Sequence, residues 1–537
     1  MNPGDGTAAD GQPAERDAPH LFVVHADLRR LACDDVLVPT NAERTVTASL
    51  RDLIPDGLVR GEQDRRSSAG RSSSREVCVD APPGRVVALG TLDDERRSWL
   101  VDTAGQGDPD DEWIVEGVET WLASVARVQG PSRQGRPRRL AALPLVGTGG
   151  GGASGRRGDL LRVLLPRLRA AAEDTGIDVA LVLRTASDHA AAQRVRRRMD
   201  LPWPLSKELL AAADRLADRA LGDELALFLG AGVSAAAGLP LWSELLAMLA
   251  ADAGLSSGEP AGDGLSALPP QDAASLLGRR MGGARMRARV GEIFADRPHA
   301  LAHALLAALP VREVVTTNYD RLFESAAAGT GRPVSVLPAE RPSGQGRWLL
   351  KLHGDVGDVD SVVLTREEFL EYDVGRSALS GVVQALLRTR HVLFVGLSLL
   401  DDNLVRIAHR AGQVRPAGSE VVGSTLSLQE DPLRSELWSQ ALDDLAMAPA
   451  GAETAVAARR LEVFLDRLGA GAVEPVGYLL DPAYEGMLTD AERELAARLR
   501  VVAAPDGGES PFSAEGEPAT PAGRRVGELL DALGLRR

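Results

Sequence analysis

Four places in the sequence put a polar side chain or a glycine directly after a short apolar run. The runs read LALFLGAG (225–232), EVVTTN (313–318), RWLLKLHG (347–354) and HVLFVGLS (391–398). The residues at these ends that could hold or attack a ligand are Ser234, Asn318, Asp320, His353, Gly396 and Ser398. Because ligands in open α/β sheets bind beyond the carboxyl ends of parallel strands, the four ends predict one shared site.

The first of these ends is suited to a phosphate. Gly230-Ala231-Gly232 follows an apolar strand and opens a helix, which presents backbone N–H groups and a helix N-terminus to an anion. The dinucleotide-binding fingerprint requires a third glycine three residues later, and that position is Ala235. The turn taken alone is equally explained by close packing of the helix on the sheet.

Each of the other ends also has a purely structural interpretation. Asn318 is a suitable helix N-cap, and His353 has the setting of a buried core histidine. Asp402, in the acidic pair after the last run, could begin a helix. Four such ends within one α/β unit nevertheless favour a ligand site over four unrelated structural roles.

The ordered segments GAGVSAAAGLPLW, TTNYD, KLHG and FVGLSLLDDN resemble the SIR2-like (sirtuin-like) domains of bacterial anti-phage defence proteins, of the Thoeris effector and defence-associated sirtuin type. The resemblance covers about residues 205–470 and implies a Rossmann-like parallel sheet that binds NAD. It implies that Asn318 and Asp320 contact the nicotinamide ribose and that His353 is the catalytic histidine. The residues it assigns to the rest of NAD are Gly230, Ala231, Gly232, Ser234, Pro240, Trp242, Thr317, Gly396, Ser398 and Asp402 or Asn403.

Two departures from deacetylating sirtuins narrow the range of possible reactions. Those enzymes have Gln where this chain has Thr317, and they carry a module with four zinc-binding cysteines, whereas this unit contains no cysteine. We therefore expect no zinc and no protein deacylation, with water as the acceptor.

The chemistry of NAD cleavage fits the residues that remain. Departure of nicotinamide leaves an oxocarbenium-like ribose, so the site must hold the sugar and place a nucleophile. Asn318 can orient the ribose or a water, and a neutral His353 can accept a proton. The prediction is an NAD⁺ glycohydrolase that releases nicotinamide and ADP-ribose and depletes NAD during infection.

Two alternatives remain open at the level of sequence. In an ADP-ribosyltransferase, a protein side chain would capture the same activated ribose, and labelled protein would replace free ADP-ribose. In a non-catalytic sensor, both units would bind NAD or ADP-ribose without turnover. The pairing of Asn318 with His353 favours an enzyme.

The N-terminal part of the chain resembles macro domains, which bind ADP-ribose. An apolar strand ends at Asp27, a second ends at Asn41, and a third leads into a glycine run. The resemblance assigns the adenine to Asp27, the distal ribose to Asn41, and the diphosphate to the run that includes Gly147, Thr148, Gly149 and Gly150. Val38 stands where macro domains have a first asparagine, and AERTVTASLRD replaces the expected glycine loop, so we predict binding or sensing without hydrolysis.

The elements that must position these residues form two successive α/β units. Strand-type and helix-type segments alternate, which is typical of parallel sheets. We predict a disordered segment (1–19), a macro-like three-layer domain (20–200), a Rossmann-like SIR2 domain (205–470) and a partly helical tail with a linker (471–537).

Composition excludes several classes of protein. The 537 residues carry a net charge of −15, which argues against general nucleic-acid binding. Two cysteines cannot build a disulfide framework, and no apolar stretch is long enough to cross a membrane. The first residues lack a signal-peptide pattern, so we expect a cytoplasmic protein. An enzyme that destroys NAD must be inactive at rest, so we also expect a homo-oligomer and gating by an unknown phage trigger.

Overall fold

The computed structural model describes residues 18–66, 73–105, 109–148, 152–255, 264–265, 267–342, 344, 346–375, 377–397, 421–474, 476–503 and 521–535. Five of the residues singled out above lie outside these ranges: Gly149, Gly150, Ser398, Asp402 and Asn403.

The first unit is built on a six-stranded sheet. Its elements are β1 (Leu21–His25), β2 (Asp35–Thr40), β3 (Thr45–Thr47), β4 (Val59–Arg66), β5 (Ser73–Val79), β6 (Val86–Thr91), β7 (Arg97–Asp102), α1 (Asp111–Ala126), β8 (Leu140–Pro144), α2 (Arg157–Thr175), β9 (Asp178–Leu183) and α3 (Ala186–Met199). The strand order is β1-β9-β8-β2-β7-β6, parallel except for β6, and β3, β5 and β4 form a small antiparallel sheet beside it.

The strands of this sheet are apolar on both faces because both faces are covered. In β1, Leu21 and Val23 join the core beneath α1, α2 and α3, whereas Phe22 and Val24 join a second core on the opposite face. Continuous apolar strands of this kind are typical of parallel sheets buried between two layers.

The second unit is a seven-stranded parallel sheet. Its elements are α4 (Lys207–Leu221), β10 (Leu225–Leu229), α5 (Ala231–Ala235), α6 (Trp242–Asp252), α7 (Pro270–Met281), α8 (Gly283–Ile293), α9 (Leu301–Ala308), β11 (Glu313–Thr316), α10 (Leu322–Gly329), β12 (Ser335–Leu337), β13 (Trp348–Lys351), α11 (Arg366–Gly375), α12 (Ser377–Thr389), β14 (His391–Val395), β15 (Gly423–Gln429), α13 (Pro432–Trp438), β16 (Leu442–Ala448) and α14 (Thr454–Gly471). The order is β12-β13-β11-β10-β14-β15-β16, with every pair parallel.

Strands β11, β12 and β13 lie on one side of β10, and the later strands β14, β15 and β16 lie on its other side. This reversal of strand order is the feature that creates a ligand crevice in doubly wound folds. The predicted α/β class, with a Rossmann-like parallel sheet in the second unit, is confirmed.

One segment with the residue types of a strand folds differently. The run SVVLT (361–365) has strand-type residues, but it forms no strand. Its backbone instead forms hydrogen bonds with two neighbouring loops. Val363 N–H donates to the carbonyl of His353, and Tyr319 Oη–H donates to the carbonyl of Val363, both at 2.9 Å. The run therefore holds the loops that carry Asn318 and His353.

The two units are joined by one continuous core. Buried side chains from β1 and β2 pack in the same cluster as those of α4, α9, β10 and α14. Buried ion pairs cross the same boundary: Arg459 Nε lies 2.7 Å from Asp178, and Arg136 Nη1 lies 2.6 Å from Glu462. Helices of the second unit thus cover the open face of the first sheet.

The end of the chain returns to the first unit. Tyr478 and Tyr484 are fully buried in its core, and Ser187 Oγ–H donates to the carbonyl of Gly477 at 2.9 Å. Two further helices follow, α15 (Asp490–Ala503) and α16 (Pro521–Ala532). Within the described ranges, we find no helix with the length and apolar character to cross a bilayer.

Candidate functional site

A cavity of about 990 Å³ opens at the carboxyl edge of the second sheet. Residues that follow β10, β11, β13, β14 and β15 line it, which is where doubly wound folds place ligands. The predicted site residues found in its wall are Ala231, Gly232, Ser234, Pro240, Trp242, Thr317, Asn318, Asp320, His353 and Gly396.

The glycines after β10 allow two strand ends to touch. A Cβ atom on Gly230 would lie 2.5 Å from the carbonyl oxygen of Gly396, and one on Gly232 would lie 2.9 Å from the Gly396 Cα atom. Gly396 itself has φ +71°, a conformation that favours glycine. This close approach accounts for the glycines by itself, so their contact with phosphate stays a prediction.

Three polar side chains form one hydrogen-bonded network at the cavity wall. Asn318 Nδ2–H donates to the carbonyl of Gly230 and to Ser234 Oγ, both at 3.1 Å. Ser234 Oγ–H donates to Asp320 Oδ2 at 2.8 Å, and Asp320 Oδ1 accepts the N–H of Leu322. Ser234 and Asp320 are therefore committed to holding Asn318 and the start of α10.

A histidine outside every motif completes this network. His303 Nε2 lies 3.3 Å from Ser234 Oγ, and the His303 side chain is buried in α9. Burial lowers the pKa of His303 from 6.5 to about 4, so the ring is neutral at neutral pH. Sequence reasoning missed His303 because it lies in the apolar helix LAHALLAA, where nothing in the pattern distinguishes it from a core histidine.

His353 enters the same cavity from the end of β13. Its ring packs edge-to-face on Phe369, with centroids 5.2 Å apart, and Gly354 after it has φ +94°. A Cβ atom on Gly354 would lie 2.3 Å from the carbonyl oxygen of Ser361, so only glycine permits this turn. Asn318 and His353 thus reach one cavity from neighbouring strands, as the sequence predicted.

Lys351 anchors the loop that carries Asn318. Its buried ammonium donates to the carbonyls of Tyr319 and Asp320 at 3.2 and 2.6 Å. Glu324 and Asp355 neutralise the charge at 2.8 and 3.1 Å. The KLHG segment therefore both supplies His353 and fixes the neighbouring strand end.

The cavity wall beyond β15 mixes polar and apolar side chains. The segment after β15 contributes Glu430, Asp431 and Arg434, and α14 contributes Thr454 and Glu462. Ser398 and Asp402, which the resemblance assigns to the adenosine half of NAD, lie outside the described residues. Among the described residues, no group of three His, Cys, Asp or Glu side chains is arranged to hold a metal ion.

The site residues predicted in the first unit form hydrogen bonds within the turns that contain them. Asp27 caps the short helix that follows and pairs with Arg29 Nη2 at 2.6 Å; burial acts to raise the pKa of Asp27, but the bonds from Arg29 bring it below its usual value. Asn41 Oδ1 accepts the N–H of Thr45 at 2.9 Å, and Thr148 Oγ1–H donates to the carbonyl of Leu145 at 2.9 Å.

Two glycines explain why other segments lie close to these residues. Gly147 has φ +74°, and a Cβ atom there would lie 2.7 Å from Ile114 Cδ1. Gly329 of the second unit packs against Asp27, since a Cβ atom on it would lie 2.9 Å from the Asp27 nitrogen. The surroundings of Asp27 are therefore shared between the two units.

Fold and site together define a doubly wound domain with an amide- and imidazole-lined cavity, and a family model described as a SIR2-like domain matches residues 312–443. The chain therefore contains a SIR2-like domain.

Among curated relatives, an NAD(+) hydrolase ThsA from Enterococcus faecium is 32% identical over 34% of this chain and 38% of its own length. Defense-associated sirtuin 2 from Bacillus subtilis is 32% identical over 20% of this chain and 11% of its own length. The chain thus spans well under half of either relative. A chain from a structural study of the mechanism and regulation of Sir2 enzymes aligns over 49% of this protein and 99% of its own length, at 18% identity and a TM-score of 0.29.

Proposed function

We propose that the protein is an NAD⁺ glycohydrolase that cleaves the bond between nicotinamide and ribose. The observation that carries the proposal is that Asn318 and His353 line one cavity at the carboxyl edge of a doubly wound sheet. The relatives named NAD(+) hydrolase and defence-associated sirtuin support it.

The geometry suits a dissociative cleavage. Nicotinamide leaves as a neutral group, so the site must hold the ribose and supply a water rather than protonate the leaving group. Asn318 Oδ1 is buried, and no described residue pairs with it, so it can accept a hydrogen bond from a ribose hydroxyl or from water. His353 then accepts the proton of the attacking water, and ADP-ribose forms.

The cavity is also large enough to hold a whole dinucleotide. A dinucleotide must extend from the reacting ribose to its adenosine end, and about 990 Å³ lies at the upper end of ligand-site volumes. The polar wall at Glu430, Asp431 and Arg434 offers hydrogen-bond partners to the adenosine half.

The cellular role follows from the reaction. We propose that the protein acts in the cytoplasm as an anti-phage effector that depletes NAD, that it works as a homo-oligomer, and that a phage-derived signal activates it. In the first unit, we propose that ADP-ribose or a related nucleotide binds near Asp27, Asn41 and the glycine run that begins at Gly147.

The test is a product analysis with the full chain. NAD labelled in the adenosine half is incubated with the purified protein, and bacteria that express it are assayed for NAD during phage infection. We expect free nicotinamide and free labelled ADP-ribose in equal amounts, and a fall in cellular NAD. Label on protein would instead identify a transferase, and no loss of NAD in either assay would refute the enzyme.

A further inference from the structure

His303 reaches the rear of the Asn318 network from a helix that none of the sequence motifs includes. It belongs to α9, it is 1% exposed, and its Nε2 atom lies 3.3 Å from Ser234 Oγ. It contacts the network through a single hydroxyl, so the proton positions on that hydroxyl decide what His303 does.

The hydroxyl of Ser234 has one proton and two lone pairs. The proton goes to Asp320 Oδ2 at 2.8 Å, because a carboxylate can only accept. One lone pair accepts Asn318 Nδ2–H at 3.1 Å. The remaining lone pair faces His303, so His303 Nε2 must carry a proton and donate it to Ser234.

The ring of His303 satisfies this condition. Burial lowers its pKa to about 4, so at neutral pH the ring carries one proton, and the bond to Ser234 places that proton on Nε2. Ser234 is then fully committed, with one bond donated and two accepted. A saturated hydroxyl of this kind has one stable orientation.

The network also fixes which way the Asn318 amide points. The carbonyl of Gly230 can only accept, so the amide nitrogen must face Gly230 and Ser234. The amide oxygen then faces away from both. It is buried, no described residue pairs with it, and Asn318 lines the cavity.

We propose that His303 is a positioning residue for NAD cleavage: through Ser234 it holds the Asn318 carboxamide with its oxygen directed at the reacting ribose. This role rests on the proposed function and adds to it a residue that touches neither substrate nor water. Loss of the His303 donor frees Ser234 to rotate and the amide to turn, which removes the oriented acceptor.

Three variants of the full chain separate positioning from packing. In His303→Gln the side-chain amide nitrogen occupies the place of Nε2, whereas in His303→Asn it occupies the place of Nδ1 and falls short of Ser234. His303→Leu removes the donor altogether. We expect kcat to fall about 10- to 100-fold in His303→Leu and His303→Asn, with KM within about threefold, and kcat within about fivefold of the wild type in His303→Gln.

The contrary results are equally specific. Wild-type kcat in His303→Leu would overturn the proposal, and so would losses in all three variants that simply follow their thermal midpoints. A crystal structure of His303→Leu adds a readout that needs no activity: we expect the Asn318 amide to have left the Gly230 carbonyl, and an unchanged amide would overturn the proposal. If the wild type releases no nicotinamide, the proposed function fails. The crystal structure of His303→Leu still decides whether His303 positions the Asn318 amide.

Discussion

The carboxyl edges of the two large sheets each carry an asparagine after an apolar strand, and the two residues are held in different ways. Asn41, after β2, accepts the N–H of Thr45, four residues further along the same turn. Asn318, after β11, donates to Gly230 and Ser234, which lie 88 and 84 residues earlier in the chain. Asn41 closes its own loop, whereas Asn318 is oriented by a different strand.

The difference shows two ways in which the fold holds a polar side chain. A polar side chain that bonds locally stabilises the loop in which it lies, and any such loop has a use for one. Asn318, in contrast, takes its orientation from elements outside its own loop. Asp27 follows the same rule as Asn41, since its partner is Arg29 two residues away.

The largest effect is expected at His353. Replacing it by Gln removes the proposed proton acceptor, and we expect nicotinamide release to fall about 10²- to 10⁴-fold. The matched control is His391→Gln, which changes a histidine at the start of β14, at the opposite edge of the same sheet. Equal rates in the two variants, measured by chromatography of the products, would remove His353 from the mechanism.

The next largest effect concerns the boundary between the two units. Arg459 of α14 bonds both oxygens of Asp178 at 2.7 Å, and both side chains are buried. Arg459→Met leaves Asp178 with a buried charge that is only partly balanced, so we expect a loss of about 3–5 kcal/mol in the free energy of unfolding.

The control for this boundary is an exposed ion pair. Arg498→Met breaks a surface contact with Glu494, for which we expect a loss of at most about 0.5 kcal/mol. Denaturant titration of both variants provides the comparison. A loss at Arg459 as small as that at Arg498 would mean that this buried ion pair does not hold the two units together.

Acid is expected to destabilise both units together. Burial lowers the pKa of histidines in both units: His25 to about 4 and His189 to about 3 in the first, His299 to about 3 and His303 to about 4 in the second. Their folded pKa values lie below the unfolded value near 6.5, so the stability they contribute is complete above pH 6.5 and is lost as the pH falls toward 3–4. The slope is about 1.4 kcal/mol per pH unit for each histidine. Unfolding free energies that stay constant from pH 7.5 to 5.5 would contradict this.

The smallest effect is expected at Asn41. Asn41→Ala leaves the N–H of Thr45 without its acceptor, which costs about 1 kcal/mol of stability. We expect nicotinamide release to remain at the wild-type rate, because Asn41 does not line the cavity that holds Asn318 and His353. A thermal midpoint identical to that of the wild type would show that this bond contributes nothing.

The sequence predicts the central strands of the second sheet, which are β13, β11, β10 and β14. Its apolar runs and strand-end motifs place Asn318 and His353 correctly because hydrophobic pattern and parallel pairing together determine which ends meet. The sequence does not predict β15 and β16, because GSTLSLQ and LDDLAMA contain polar residues and are not the continuous apolar runs typical of strands buried on both faces.

Two further features cannot be predicted from the sequence pattern, for a different reason. The role of Ser234 as a support for Asn318, and that of His303 behind it, depend on contacts across 69 to 86 residues that no local spacing encodes. The return of Tyr478 and Tyr484 to the first core is equally non-local. The sequence therefore predicts which residues can take part in chemistry. Tertiary contacts decide which of these residues face the ligand and which orient the others.

The most direct test compares the two asparagines in one assay. Steady-state release of nicotinamide from ring-labelled NAD is measured for the full chain, for Asn318→Ala and for Asn41→Ala, at equal amounts of folded protein. We predict a loss of at least about 100-fold for Asn318→Ala and an unchanged rate for Asn41→Ala. Equal rates for Asn318→Ala and the wild type would contradict the assignment of the cavity beside β11 as the place where NAD is cleaved.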